Sequence, residues 1–377
     1  MSMHRAAPGR VLALAAILCL GVVVTQATAQ TSGQSPANTP PHAAPQHSPA
    51  GLAYRAQPLT SEIYFADPAA HVFEGRVYVY GSHDVDGPAA DEQPGRGYVM
   101  RDYRVLSMDS IGGPVTVGPV AFTLADVPWA DRQLWAPDAA FKDGKSYFYF
   151  PAKDADGVFR IGVAVGERPE GPFRPRPEPI RGSYSIDPSV FVDDDGQAYM
   201  YFGGIHGGQL QRWVSGQYDA DAGITDLHQP DRPALTPRVA RLTPDMLEFA
   251  EAPREAVIAT ADGQPLLGGD LERRFFEGAW MHKHAGLYYL SYSTGESHYV
   301  DYATATTPYG PFTWRGHVLL PVQGWTTHPS IVEVDGRWRL FFHDTQLSNR
   351  NNFRSAKVLD LIHNPDGTIQ TVDPFVR

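Results

Sequence analysis

Five stretches of the chain share one pattern, and each opens on a residue able to exchange a proton or hold an ion. These residues are Asp67, Asp138, Asp187, Glu277 and His328. Taken singly, an Asp before Pro is a common turn element, and a Glu before Gly-Ala-Trp is an ordinary surface acid. Recurrence changes that reading. Each polar residue is followed by a short apolar run and a Gly turn at Gly75, Gly144, Gly196, Gly286 or Gly336. An alternating aromatic run follows, "VYVYG", "SYFYF", "AYMYF", "LYYLSYS" or "WRLFF". Four carboxyl groups and an imidazole at equivalent places form a set, and a fold that gathers the five starts would gather their proton chemistry.

The elements that must position this set are β-hairpins. An apolar run, a turn with the positive φ that Gly adopts cheaply, and an alternating run is a hairpin signature. Five copies imply an all-β fold, a five-bladed β-propeller, whose innermost strands line a central axis. The polar starts are separated by 71, 49, 90 and 51 residues, so insertions must decorate some blades. The longest, about 205–275, is expected to close one side of the funnel. Helical periodicity is scarce: "TPDMLEFAEAP" (243–253) offers one or two helical turns at most. "DDDG" at 193–196 reads as a plain hairpin turn, because the remaining ligands of a calcium loop are missing.

The ends of the chain read differently. Arg5 and Arg10 precede an apolar run from Val11 to Val24 and an Ala27-Thr28-Ala29 exit. This is the pattern of a secretory signal peptide at 1–29, and it implies a periplasmic or secreted protein. Cys19, the one cysteine, would leave with it, which removes disulfides, thiol nucleophiles and Cys metal sites from the mature chain. Residues 30–50 are rich in Pro, Ser, Gln and Ala and read as a flexible leader. The folded catalytic domain is expected over 51–377. The net charge of −11, or −13 without the two Arg of the signal, argues against nucleic acid or an anionic membrane as partner. Neither a phosphate-cradling loop, nor a dinucleotide fingerprint, nor an H-E-x-x-H or G-x-S-x-G motif is present.

The motifs "FADP", "LWAPD", "SIDPSVF", "FFEGAW" and "THPSIVE", in that order, resemble the blade motifs of glycoside hydrolase family 43. The resemblance covers about residues 58–355. "GGQLQRW" (207–213) and "TTPYGPFTWRG" (306–316) are similar to segments of exo-acting members. The resemblance implies an inverting exo-glycosidase that releases pentoses from xylan- or arabinan-derived oligosaccharides, as a β-D-xylosidase, an α-L-arabinofuranosidase or both. The alternatives are an endo-acting arabinanase or xylanase of the same fold and a carbohydrate-binding propeller that has lost catalysis.

Three catalytic roles carry over: Asp67 as general base, Glu277 as general acid, and Asp187 as the acid that tunes and orients the donor. Inversion needs the two working carboxyls about 6.5–9.5 Å apart, with room for a water. Asp67 must be ionised and Glu277 protonated at working pH, and a nearby Asp187 carboxylate would favour the latter. The expected substrate-binding set is Phe65, Trp135 and Trp280 as apolar walls, with His83, Asp138, His328 and Arg350 reading hydroxyls. For Asp138 a bracing role competes with substrate contact, and Arg354 is the alternative to Arg350. No cofactor is required by this reading. A structural calcium at the propeller centre, contacted by His328, is the one metal it suggests. The expected partner is the oligosaccharide, with no membrane after removal of the signal. The sequence leaves the sugar and the oligomeric state open.

Overall fold

The five Gly turns are realised as the sequence implies. Gly75, Gly144, Gly196, Gly286 and Gly336 all have φ between 71° and 81°, and each joins an inner strand to its antiparallel neighbour. The structure, a computed structural model, describes residues 51–86, 97–223 and 230–376. The expected signal peptide and leader lie outside the described residues.

The strands form a five-bladed β-propeller. The first blade runs outward as Tyr64–Phe73, Arg76–Asp84, Asp102–Met108 and Thr116–Thr123. The second is Asp138–Lys142, Lys145–Lys153, Phe159–Gly166 and Arg174–Pro175. The third is Ser189–Val192, Ala198–Phe202, Arg238–Arg241 and Arg254–Glu255. The fourth is Glu277–His284, Leu287–Ser293, Val300–Ala305 and Phe312–Leu319, with Ile258–Ala259 added parallel at its outer edge. The fifth is Ser330–Val334, Arg337–Asp344 and Ser355–Asp360. A parallel bridge from Phe65 to Ser355 joins the fifth blade to the first. Ala53–Tyr54 pairs with Phe375–Val376, so the two ends of the described chain are stitched together.

The alternating aromatics explain why the blades pack. On one face of "VYVYG" and "SYFYF", Tyr80 meets Phe148 edge to face at 5.5 Å, and Tyr103 lies 4.9 Å from the same ring. A second aromatic cluster lies between the third and fourth blades, around Tyr201, Tyr292, Phe275 and Phe312. The core therefore sits between blades, and the inner strands are left to carry polar residues at their heads. The segment 243–253 forms hydrogen-bonded turns, with Thr243 N–H donating to Glu248 O. No helical turn is needed there, because Met246 and Leu242 are already buried in the core.

Asp138 is part of this framework. It is 1% exposed. One oxygen accepts the Val190 N–H of the third blade at 2.5 Å and the other lies 2.6 Å from His71 Nε2 of the first. It clamps three neighbouring blades, which corrects its place in the substrate-binding set. Asp138→Ala would leave the Val190 N–H buried without its acceptor. A loss of about 1–3 kcal/mol is expected in urea unfolding. A variant as stable as wild type, with a raised KM, would return Asp138 to the substrate.

Candidate active site

The acids reach the funnel because the backbone bends where they sit. In the first blade Ala66 pairs with Ser82 and Ala69 with Tyr80, so the inner strand holds one extra residue. Asp67 lies in that bulge with φ 51°. The fourth blade repeats the device: Glu277 pairs with Ser293 and Trp280 with Ser291, and Gly278 takes φ 68°. Bulges re-aim side chains at sheet edges and active sites. Asp187, just before its inner strand, has φ 56°. The backbone N–H of Gly278 donates to Asp187 Oδ2 at 2.9 Å, which fastens Asp187 beside Glu277. A Cβ at position 278 would lie 3.3 Å from His328 Nδ1, so both backbone and space call for glycine there.

Asp67 is surrounded by partners for its charged form. Arg354 Nη1 donates to Oδ1 at 2.7 Å and Ser82 Oγ to Oδ2 at 2.7 Å. Burial pushes its pKa up, but Arg354, His343, His328 and Ser82 outweigh it and hold the carboxyl at about 2. The guanidinium is in turn fixed by Asp84. Nε donates to Asp84 Oδ2 at 2.9 Å and Nη2 to Oδ1 at 2.8 Å, while the Arg354 backbone N–H donates to Oδ2 at 2.8 Å. His343 accepts the Asp67 N–H on Nδ1 at 3.0 Å. Its proton therefore lies on Nε2, which donates to Thr326 O at 2.9 Å. Burial, then Arg354, hold His343 neutral with a pKa of about 3.

Glu277 is pushed the other way. Burial and then the Asp67 charge raise it to about 8, against the pull of Arg354. Asp187 is also raised, first by burial and then by the charges of Glu277 and Asp67. Glu277 and Asp187 therefore behave as a pair that keeps a proton where Asp67 keeps none. Two carboxyl environments driven apart in this way separate an acid from a base.

These groups line one pocket of about 410 Å³. Asp67, Asp187, Glu277, His328, Arg354 and Trp135 all face it, with Tyr98, Phe276 and Trp325 as further aromatic walls. Trp135 is held by its Nε1–H, which donates to Tyr98 O at 2.9 Å. The Arg354 guanidinium lies 4.8 Å over the Tyr98 ring. His206, Gly207 and Gly208 of the long insertion complete one side.

Several expected contacts lie elsewhere. Phe65 is 1% exposed and packs among Val77, Val79 and Phe341, because strand alternation points it away from the funnel one residue before the bulge. Trp280 is buried in the core, where its Nε1–H donates to Ile331 O at 2.9 Å. His83 faces away as well, with Nδ1 2.7 Å from Asp102 Oδ1. Ser82 and Asp84 on either side of it serve the site, and a period of two sends the residue between them to the opposite face. Arg350 is exposed, 3.7 Å from Asp86 and 4.1 Å over the Phe353 ring; Arg354 is the arginine in the pocket. Ser82, Asp84, His343 and Tyr98 were not singled out from the sequence. The alternation within "GSHD" was the available signal for the first two. His343 and Tyr98 carried none, since each is brought in by a strand or loop distant in the chain.

His328 lies in the pocket, with Nδ1 3.9 Å from Asp187 Oδ2. Burial lowers its pKa, which keeps a ring lone pair free. Calcium takes about six to eight oxygen ligands. Among the described residues no three His, Cys, Asp or Glu side chains gather as a metal-binding group, and the oxygen nearest His328 already accepts the Gly278 N–H. The side chains present supply too few ligands to enclose a calcium by themselves, so a calcium at His328 would need most of its ligands from water.

The sequence of residues 65–369 matches the family model for glycosyl hydrolases family 43. The chain belongs to this family. It is a glycoside hydrolase, and the five-bladed fold and the pocket are to be read as such. The chain is 56% identical over 324 residues to xylosidase/arabinosidase 43A of Humicola insolens, covering 84% of this chain and 99% of that one. It is 51% identical to a xylosidase/arabinosidase of Bacteroides ovatus, covering 82% of this chain and 95% of the relative. Among solved structures, a β-xylosidase/α-arabinofuranosidase from a compost microbial metagenome, in a calcium-free form with xylotriose, aligns with a TM-score of 0.84 and 59% identity. The alignment covers 85% of this chain and 98% of that one. The family 43 enzyme of Xanthomonas citri with xylotriose aligns at 0.79 and 51% identity, over 85% and 94%.

The opposed pKa values set a pH profile. The form with Asp67 ionised and Glu277 protonated is lost as pH rises through about 8, and as pH falls toward about 2. Arg354→Gln removes the main charge holding Asp67 down, so the acidic limb of kcat/KM should move up by about 1–3 pH units. An acidic limb that stays in place in this variant would mean that Arg354 does not set the Asp67 charge.

Proposed function

We propose that the protein is an inverting exo-glycosidase that removes single pentoses from the ends of xylo- or arabino-oligosaccharides. The observation that carries this reading is the opposite protonation of Asp67 and Glu277 around one pocket. The names of the similar proteins, which pair xylosidase with arabinosidase activity, supply the sugar class.

In this mechanism the Glu277 carboxyl gives its proton to the glycosidic oxygen as the bond to the anomeric carbon breaks. Water attacks that carbon from the opposite face, and Asp67 takes the water's proton. Each Asp67 oxygen keeps a lone pair for this beyond its bond to Arg354 or Ser82. The products are an alcohol and a pentose of inverted configuration. Solvent returns the proton from Asp67 to Glu277. Asp187, fastened by the Gly278 N–H, shares the proton held by its pair with Glu277, and its role in this reading is to tune and orient that donor. Arg354 and His328 offer polar contacts to the sugar hydroxyls, and Trp135 and Tyr98 offer apolar faces to its C–H groups. Export of the mature chain to the periplasm or medium belongs to the same reading, supported by Arg5, Arg10 and the apolar run that follows.

Initial rates on aryl β-D-xylopyranoside and aryl α-L-arabinofuranoside test the assignment. The wild type should cleave at least one of them, and NMR should show the inverted anomer as the first product. On a substrate whose leaving group needs protonation, Glu277→Gln should lower kcat/KM by about 10²–10⁴-fold. Retention of configuration, or a wild type inactive on both substrates, overturns the reading. If Asp187 tunes the donor as this reading has it, Asp187→Asn, which removes the group that shares a proton with Glu277, moves the alkaline limb to lower pH. An unchanged limb would remove the tuning role.

A further inference from the structure

Three side chains at the pocket belong to different blades yet lean on one short turn, "TGESHY" at 294–299. Phe276 immediately precedes the inner strand of the fourth blade, His206 lies in the insertion that follows the third blade's second strand, and Trp325 lies on the approach to the fifth. All three line the pocket, and no residue of the turn does. Gly295, with φ 76°, lies so close to Phe276 that a Cβ there would stand 2.3 Å from the ring. Glu296 Oε1 is 3.9 Å from His206 Nε2, and its other oxygen accepts from the buried Arg274 Nη2 at 2.8 Å. His298 Nδ1 donates to Trp325 O at 2.9 Å, and the two rings meet edge to face at 5.2 Å.

The turn itself is braced. Thr294 N–H donates to Tyr299 O at 3.0 Å, the Tyr299 N–H to Thr294 Oγ1 at 3.0 Å, and the His298 N–H to Gly295 O at 2.8 Å. Ser297 Oγ–H donates to Leu271 O at 2.8 Å. A rigid support of this kind serves a wall that must keep its place.

Trp325 is the outermost part of that wall. It is 37% exposed, whereas every other residue lining the pocket is buried or half-buried. Asp67, Asp187 and His328 are buried whereas Trp325 is exposed, so a chain whose terminal sugar is seated against the three extends toward the open end of the wall that Trp325 forms. Aromatic faces supply flat apolar area to the C–H faces of a sugar.

We propose that the 294–299 turn is a specificity element for the leaving side of the substrate. Trp325 stacks on the pentose that follows the scissile bond. Glu296 and His298 are positioning residues that hold His206 and Trp325 in place without touching the sugar. This rests on the exo-glycosidase reading above.

The test compares KM for xylobiose, which needs the leaving-side contact, with Ki for xylose, which fills the terminal position alone. Trp325→Ala should raise KM for xylobiose by about 3- to 10-fold, with a much smaller change in the xylose Ki. Trp325→Phe should restore most of the loss. His298→Ala should move the same ratio in the same direction by a smaller factor. An unchanged KM in Trp325→Ala, or equal changes in KM and Ki, overturns the assignment while wild-type cleavage of xylobiose leaves the exo-glycosidase reading standing. A wild type that does not cleave xylobiose removes that reading for xylose, and this assignment with it.

Discussion

One guanidinium decides how three buried carboxyl groups share their charge. Arg354 could lie between all of the acids in the pocket. Instead, two of its nitrogens and its own backbone N–H are committed to Asp84, which leaves Nη1 pointed at Asp67. The positive charge is therefore spent on one side of the pocket. Asp67 ionises easily, and the same negative charge then helps keep a proton on the Glu277–Asp187 pair. With the arginine centred among the acids, its charge would no longer favour ionisation of Asp67 over the other two.

Local backbone geometry serves this electrostatic arrangement. Regular strands would continue the alternation of the blade and bury half of the residues at the strand heads. The extra residue at Asp67 and the bulge after Glu277 interrupt that alternation at the mouth of the funnel. The positive φ values of Asp67, Asp187 and Gly278 belong to the same interruption. Strained conformations persist where the surroundings over-determine them. Here the Asp67 N–H is held by His343 and the Gly278 N–H by Asp187.

The blades provide the rigidity for this. Aromatic clusters fill the spaces between them, and Asp138 spans three at once. A site assembled from residues hundreds of positions apart, such as Asp67 with Arg354, keeps its geometry only if the ring is closed. The Phe65–Ser355 bridge and the pairing of Ala53–Tyr54 with Phe375–Val376 close it.

Period-two alternation, Gly turns and a five-fold repeat are local properties, so the sequence alone determined the propeller, its inner strands and the polar set at their heads. Asp67, Asp187, Glu277 and His328 were legible because each recurs in register, and Trp135 because it adjoins one of those heads. The tertiary structure decided which neighbours serve the site. Phe65, Trp280 and His83 sit beside site residues in sequence, yet side-chain direction around a bulge sends them into the core or between strands. Arg354 displaces Arg350 because only its position lets a guanidinium reach Asp84 and Asp67 together. Protonation is likewise a tertiary property: it depends on burial and on charges brought from other blades, and neither is written in the spacing of residues along the chain.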